Sequence, residues 1–119
     1  MPIQSQIEDG ILTIYIADAR LLDEAHINKV SDAILKLINK TSEEKIVLDF
    51  RKVEFMSSSM LGKLVQIQKK CKDFKVQLRL AAIHPEIQKV FKITRLDKLF
   101  DIRKDEDAAR TSFTKRKWF

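Results

Sequence analysis

Three consecutive hydroxyl side chains, Ser57, Ser58 and Ser59, are the residues of this chain best placed to do chemistry. They follow a short apolar run at 46–50, which predicts a buried strand, and they precede a segment at 61–71 with helical spacing of apolar residues. A strand that passes through serines into a helix places hydroxyls at the helix N-terminus, where backbone N–H groups are free and the helix dipole is positive. Such a position suits a phosphate group.

The same serines also suit a purely structural role. Serine is among the favoured residues at the N-cap of a helix, and replacing a capping serine by alanine typically costs about 1 kcal/mol. The spacing alone therefore leaves two interpretations open. Either Ser57 or Ser58 only caps the helix, or one of the serines is a modified residue.

The elements that must position these serines are predicted from the residue patterns. An Asp-Gly pair between the β-rich runs 3–7 and 11–16 predicts an antiparallel hairpin. Asp23 is a predicted N-cap for a helix that runs to about Asn39, where asparagine can take the left-handed C-terminal position.

Further elements follow the central segment. Alternation at 74–82 predicts a strand, Pro85 suits the first turn of the next helix, and a short turn with a brief strand is expected at 96–102. A last helix is expected at 105–113. Together these elements predict one α/β domain, with a mixed sheet of about four to five strands and helices packed on it.

Bulk composition narrows the function classes. At 119 residues, with 45% hydrophobic and 34% charged residues, the chain has the size and composition of one globular domain. Its single cysteine cannot form an internal disulfide, and no apolar run reaches the roughly 18 residues of a membrane-spanning helix. We expect a cytoplasmic protein with no classical export signal and no transmembrane segment.

The formal net charge of +6 is concentrated near the C-terminus. The last ten residues contain four basic residues and no acidic one, and residues 115–119 form a basic aromatic tail. A frayed terminus is the simplest interpretation of this tail, and contact with a partner or an acidic membrane surface is the alternative. The tail is too short to indicate nucleic-acid binding by itself.

No pattern typical of an enzyme or a metal site is present. His26 and His84 are the only histidines, and Cys71 falls on the apolar face of the predicted central helix, as a small core residue would. Metal-ligand spacings and a glycine-rich phosphate loop are absent. Asp49, at a strand end, is expected to accept hydrogen bonds from loop amides.

The central run VLDFRKVEFMSSSMLGKL resembles the signature of STAS domains, the fold of anti-sigma-factor antagonists and of the cytoplasmic parts of sulphate transporters. Two positions depart from the pattern: Ser57 stands where the family usually has Asp, and Met60 stands where it usually has Gly. The segment LRLAAIHPEIQKVFKITRLDKLFDI is similar to the second half of such domains, so residues 1–119 are identified as one STAS domain. Residues at matching positions are Asp49, Val53, Phe55, Ser58, Ser59, Leu61 and Gly62.

The resemblance implies a non-enzymatic switch protein that takes part in transcription regulation in a bacterial cytoplasm. By family analogy Ser58 is the phosphorylated residue, with Ser57 and Ser59 as alternative acceptors. The partner would be an anti-sigma factor with a serine kinase fold, and ATP would belong to that partner, so no cofactor is expected here. The partner-binding residues would be Ser57, Ser58, Ser59, Met60 and Lys63, with the Met60 side chain expected on the docking surface.

The two departures favour an alternative role. A STAS scaffold subunit of a signalling or transporter-associated assembly would have no phosphorylation cycle, and it would be expected to form oligomers. A third, weaker hypothesis is the handling of a nucleotide or a lipid, for which the sequence reveals no cleft. Fold analogy alone does not decide among these roles.

Overall fold

The computed structural model describes residues 2–114 of the chain. The described part is an α/β fold with a mixed sheet of five strands, a small sheet of two strands and four α-helices. The strands are β1 (Ile3–Glu8), β2 (Ile11–Ile16), β3 (Arg20–Leu21), β4 (Lys45–Asp49), β5 (Phe55–Met56), β6 (Gln77–Ala81) and β7 (Asp101–Arg103). The helices are α1 (Glu24–Lys40), α2 (Ser58–Asp73), α3 (Pro85–Ile93) and α4 (Glu106–Thr114), with a 3₁₀ turn at Leu96–Lys98.

The hairpin predicted from the Asp-Gly pair is confirmed. β1 and β2 are antiparallel, and the register places Glu8 opposite Ile11. Asp9 and Gly10 both have positive φ, of 55° and 75°. A two-residue hairpin loop of this kind matches the twist of its strands, and glycine adopts positive φ without a steric cost.

The main sheet has the strand order β1-β2-β4-β6-β7. Apart from the β1–β2 hairpin, every neighbouring pair in this sheet is parallel. The parallel strands are joined by helices, so the carboxyl ends of β2, β4 and β6 meet at one edge of the sheet. The loop that carries the three serines leaves from this edge.

Alternation along the central strands divides the sheet into two faces. On the front face Ile46 and Leu48 join the main core, to which α1, α2 and α3 also contribute. On the back face Val47 packs with Ala109 and Phe113 of α4. The front face therefore contains most of the apolar core, and a single helix covers part of the back.

Ion pairs and hydrogen bonds supplement the small apolar contact of α4. Tyr15 donates a hydrogen bond to a Glu106 carboxylate oxygen at 2.7 Å, and Arg110 donates to the Thr13 hydroxyl at 3.1 Å. Burial and this contact with Glu106 raise the pKa of Tyr15 to about 12. Thr13 and Tyr15, two polar residues of the back face, thus have partners on the helix that covers part of it.

Two local predictions differ from the structure, and one small sheet was missed. Asn39 does not end its helix in a left-handed conformation, because α1 continues to Lys40 and Thr41 caps it with extended backbone. The strand expected at 74–82 covers only Gln77–Ala81, since Phe74 is the C-cap of α2 and Lys75 has a φ of 60°. The small β3–β5 sheet was not predicted at all.

Candidate functional site

The serines lie where a strand-loop-helix segment crosses the carboxyl edge of the main sheet. β4 ends at Asp49, and the chain returns through the short strand β5 before α2 begins at Ser58. β5 is held by parallel pairing with β3, in which Arg20 is opposite Phe55. The predicted strand, turn and helix are therefore present, with a second small sheet fixing the turn.

Ser57 occupies the N-cap position of α2 but does not cap the helix with its side chain. Its backbone is extended, with φ −83° and ψ 166°, and its N–H donates to the Leu21 carbonyl at 2.9 Å. Its carbonyl accepts from the Met60 N–H at 3.1 Å. The Ser57 hydroxyl oxygen is buried and has no hydrogen-bond partner among the described residues. Ser57 therefore occupies the position of a capping residue, but its side chain does not make the capping hydrogen bond.

Ser58 is the first residue of α2, and its side chain is exposed. Its hydroxyl has no hydrogen-bond partner in the part of the chain that the structure describes. The first turn of the helix contains no acidic residue. Free N–H groups and the positive end of the helix dipole therefore meet an available hydroxyl here, and no carboxylate of that first turn opposes an added negative charge.

Ser59 is engaged with a neighbouring helix. Its hydroxyl oxygen lies 2.9 and 3.0 Å from the two carboxylate oxygens of Glu24, the first residue of α1, to which it donates. A hydroxyl held by a carboxylate is less available than a free one, and a phosphate there would oppose the Glu24 charge. Of the three serines, Ser58 alone combines exposure with an unengaged hydroxyl.

Met60 corrects an expectation from the sequence. The expectation that its side chain projects onto a docking surface is wrong, because the side chain is 0% exposed and belongs to the main core. The helical register explains the burial: Met60, Leu64, Ile67 and Cys71 are spaced by four, three and four residues and share one buried face of α2. Met60 therefore supports the start of α2 from beneath.

Gly62 and Lys63 continue the surface from Ser58 along α2. Gly62 is exposed and lies one turn after Ser58, and a Cβ atom added there would meet nothing within 4 Å. Glycine in a helix interior costs roughly 1 kcal/mol relative to alanine, so the isolated domain gains nothing from it. Lys63 is partly exposed and follows directly.

Exposed apolar side chains flank the serines, and sequence reasoning did not assign them to the site. Phe55 is 48% exposed and Leu22 is 46% exposed. The Arg20 guanidinium lies 4.9 Å from the centre of the Phe55 ring, in a cation–π contact. The β3–β5 pairing brings these residues together, and an aromatic residue in a loop was the only sequence signal for them.

Asp49 has the structural role that the sequence predicted. Its side chain is 3% exposed and accepts a hydrogen bond from the Arg51 N–H at 2.8 Å. Burial raises the pKa of Asp49, while the Arg51 amide and guanidinium act in the opposite direction. The carboxylate therefore fixes the loop after β4, and its charge is poorly solvated.

The Asp49→Asn variant is expected to be more stable than wild type at pH 7, because it keeps an oxygen acceptor for the Arg51 amide and removes a buried charge. A carboxyl whose pKa is raised by folding loses stability as the pH rises from its ordinary value of 3.8 through the folded-state value. The extra stability of Asp49→Asn over wild type should therefore shrink as the pH falls toward about 4. Urea unfolding of both proteins across this range measures it, and a variant less stable than wild type at pH 7 would contradict the prediction.

The histidines and the cysteine do not form a catalytic group. His26 is paired with Asp18 at 2.8 Å, and the His84 ring nitrogen lies 3.3 Å from the Arg51 carbonyl oxygen. Cys71 is buried, and burial raises the pKa of its thiol to about 11, which leaves it unreactive. Within residues 2–114, no cluster of three or more His, Cys, Asp or Glu side chains could hold a metal ion.

Two other predictions concern the membrane and the tail. Among the helices of the described residues, none combines the length and apolar character needed to cross a membrane. The basic aromatic tail at 115–119 lies outside the described residues.

Comparison with known proteins identifies the fold. The model of the STAS domain family matches residues 2–109. A STAS-domain anti-sigma-factor antagonist from Planctomyces limnophilus superposes with a TM-score of 0.81 at 21% identity, covering 92% of this chain and 95% of that one. An anti-sigma factor antagonist from Mycobacterium paratuberculosis gives 0.82 at 22% identity, covering 95% and 93%.

A third similar structure is that of SpoIIAA, a Bacillus cell fate determinant, solved in its phosphorylated form. It superposes with a TM-score of 0.68 at 19% identity, covering 92% of this chain and 98% of SpoIIAA. At these identities the structural likeness establishes the architecture, and the match to the family model extends over nearly all of the described residues.

Proposed function

Because the chain belongs to the STAS domain family, we propose that it is an anti-sigma factor antagonist-like regulator that binds a protein partner and is switched by phosphorylation of Ser58. The partner is an anti-sigma factor with a serine kinase fold, and binding releases the sigma factor. The structural neighbours that are anti-sigma factor antagonists support this general role. The chain itself carries out no catalysis in this scheme.

The observation that carries the proposal is the state of the Ser58 hydroxyl. It is exposed and unengaged at the N-terminus of a 16-residue helix, while the Ser57 oxygen is buried and the Ser59 hydroxyl is held by Glu24. A kinase needs an accessible hydroxyl, so Ser58 is favoured over its two neighbours.

The docking surface, as we propose it, consists of exposed and partly exposed residues around Ser58 on α2 and the β3–β5 turn. Exposed apolar and aromatic groups with an arginine are typical of the energetically important part of a protein interface. Its members are Leu22, Phe55, Ser57, Ser58, Ser59, Gly62 and Lys63, with Arg20 stacked on Phe55. Met60 acts from below, as core support.

Phosphorylation would end binding through charge and size. A phosphoserine carries about −1.5 to −2 charges at neutral pH, which the N-terminus of α2 tolerates without unfolding. The same dianion in the middle of an apolar docking surface would have to lose its water in the complex, which is costly. The switch therefore requires little change in the fold of the free domain.

The experiment is an affinity pulldown from the native cell with wild type and with Ser58→Asp, followed by mass spectrometry of the bound proteins and of phosphosites on this chain. A kinase-like partner recovered by wild type only, with phosphate on Ser58, supports the proposal. Equal recovery of the same partners by both proteins, without phosphoserine at 57–59, would favour the scaffold role, and oligomers in the purified protein would strengthen that alternative.

Gly62→Ala should separate stability from binding. The free energy of unfolding is expected to rise by about 0.5–1 kcal/mol, because alanine favours the helix and its Cβ meets open space. Partner binding should weaken, since the added methyl group stands where the partner approaches the backbone. Urea unfolding and a titration with the recovered partner measure the two effects. Lys92→Ala, at an exposed site of α3 that lies outside the proposed docking surface, is the control.

A further inference from the structure

The outer edge of β1 has free backbone groups that face away from the sheet. The Pro2 carbonyl accepts from the Ala17 N–H at 3.1 Å, so the even-numbered residues of β1 direct their N–H and C=O groups to β2. Ile3, Ser5 and Ile7 direct theirs outward. β1 is the terminal strand of the sheet order, and no strand of the described residues lies on that side.

This edge lacks the usual protection against strand pairing. Natural edge strands are commonly blocked by lysine, proline or a bulge, or are very short. Residues Ile3–Glu8 form six consecutive residues in regular register with β2, without proline or lysine. Ile7 is also 59% exposed. The edge can therefore accept an added strand.

An apolar groove with a basic rim lies beside this edge, on the side of α1. It has a volume of about 530 Å³, and its apolar residues include Ile3 of β1 with Ala33 and Leu37 of α1. Its full lining is Pro2, Ile3, Ser5, Lys29, Asp32, Ala33, Lys36, Leu37 and Lys40.

The charge of the groove comes from one face of α1. Lys29, Lys36 and Lys40 are spaced by seven and four residues, which places them on the same side of the helix. All three are exposed, and none forms an ion pair within residues 2–114. With Asp32 as the one acidic residue of the lining, the groove has an excess of positive charge.

We propose that the free edge of β1 and the adjoining groove bind an extended acidic segment of a partner protein, which adds to the sheet as a strand. Backbone hydrogen bonds to Ile3, Ser5 and Ile7 would hold the segment, and every second side chain would face the groove. Apolar side chains at those positions contact Ala33 and Leu37, and acidic ones reach the lysines. This surface is distinct from the one around Ser58 and does not depend on the proposed switch.

The charges argue against a second copy of this chain as the occupant. Pairing of two β1 strands would place two α1 helices on the same face of a continuous sheet, each with its row of three lysines. Such like charges repel. A second β1 would also offer the groove only Ile3, Ser5 and Ile7, because Glu8 lies on the opposite face. An acidic segment satisfies the lysines and a second copy does not.

The test uses a fluorescein-labelled peptide in which every second residue is threonine and the residues between them are, in order, glutamate, valine and glutamate. The whole chain is titrated into this peptide, and fluorescence anisotropy measures the binding. We expect saturable binding that weakens at high salt, as attraction between exposed charges does. The same peptide with lysine in place of glutamate should not bind. A version in which the backbone amides facing β1 are N-methylated should also lose binding, because it cannot donate hydrogen bonds to the strand.

Two variants of the chain sharpen the test. Ser5→Pro removes the central outward N–H of β1 and leaves the β2 hydrogen bonds intact, so peptide binding should fall by about tenfold or more. Lys36→Glu should weaken binding by about tenfold through lost attraction and new repulsion. Lys69→Glu, the same charge change on α2, should leave binding unchanged, and thermal unfolding checks that each variant folds.

Three outcomes would overturn the proposal. The first is that the acidic peptide shows no saturable binding to wild type. The second is that wild type and Lys36→Glu bind the peptide equally, and this comparison does not depend on whether Ser5→Pro folds. The third is a dimer in solution that Ser5→Pro converts to a monomer, because the edge would then belong to a second copy. Unchanged peptide binding by Ser58→Asp is expected, so this surface can be judged separately from the switch.

Discussion

Ser58→Glu is expected to weaken binding of the recovered partner by at least about 100-fold, whereas Ser58→Ala should bind within a few-fold of wild type. The hydroxyl of Ser58 makes no hydrogen bond within the described residues, so its removal costs the free domain little. A carboxylate buried unpaired against a partner costs several kcal/mol, and each 1.4 kcal/mol is a factor of ten in affinity. Isothermal titration with the purified partner measures the difference.

The control for Ser58→Glu is Ser42→Glu, the same change at an exposed serine in the loop between α1 and β4. That loop lies at the amino end of β4, opposite the edge from which Ser58 projects. Ser42→Glu should bind as wild type does. If Ser58→Glu bound as tightly as Ser58→Ala, Ser58 would lie outside the interface and the switch would be excluded.

The parts of the fold that the sequence predicted are those in which local and tertiary preferences agree. The Asp9-Gly10 pair specifies positive φ at both loop positions, and the apolar run at 46–50 specifies a strand with little regard to context. The capping bond from the His26 N–H to Asp23 at 3.0 Å confirms the predicted start of α1. These features depend on neighbouring residues, so one sequence suffices to find them.

Features that depend on distant pairing were missed. β3 and β5 have two residues each, too few to show the alternation of apolar and polar residues that predicts a strand. They form because chain segments 35 residues apart come together. The attachment of α4 depends on similar long-range pairs, such as Tyr15 with Glu106 and Arg79 with the Ser112 hydroxyl. The exposed Phe55 belongs to the candidate site for the same reason, since β3 fixes its position.

Met60 could have been assigned to the core from the sequence. Its spacing of four, seven and eleven residues to Leu64, Ile67 and Cys71 is a regular helical face. The family pattern usually has glycine at this position, and this difference led to the expectation that the Met60 side chain projects onto the docking surface. The helical period was the stronger evidence, because it reports which face is buried.

Met60→Ala is expected to lower the free energy of unfolding by about 2–5 kcal/mol, although alanine is closer in size to the glycine that the family pattern has at this position. The side chain is fully buried in the main core, so its loss leaves a cavity. Urea unfolding followed by circular dichroism measures the change. Met60→Leu, which conserves volume, should lose less than about 1.5 kcal/mol.

Met60→Gly extends the argument, because it restores the residue of the family pattern. It should be less stable than Met60→Ala by roughly 1 kcal/mol, since glycine adds a helix penalty to the cavity. Gln66→Ala, at an exposed position of α2, should change stability by less than about 0.5 kcal/mol. A Met60→Gly protein as stable as wild type would mean that the core closes around the missing side chain. In that case Met60 would not be what holds the first turn of α2, and Ser58 with it, in place.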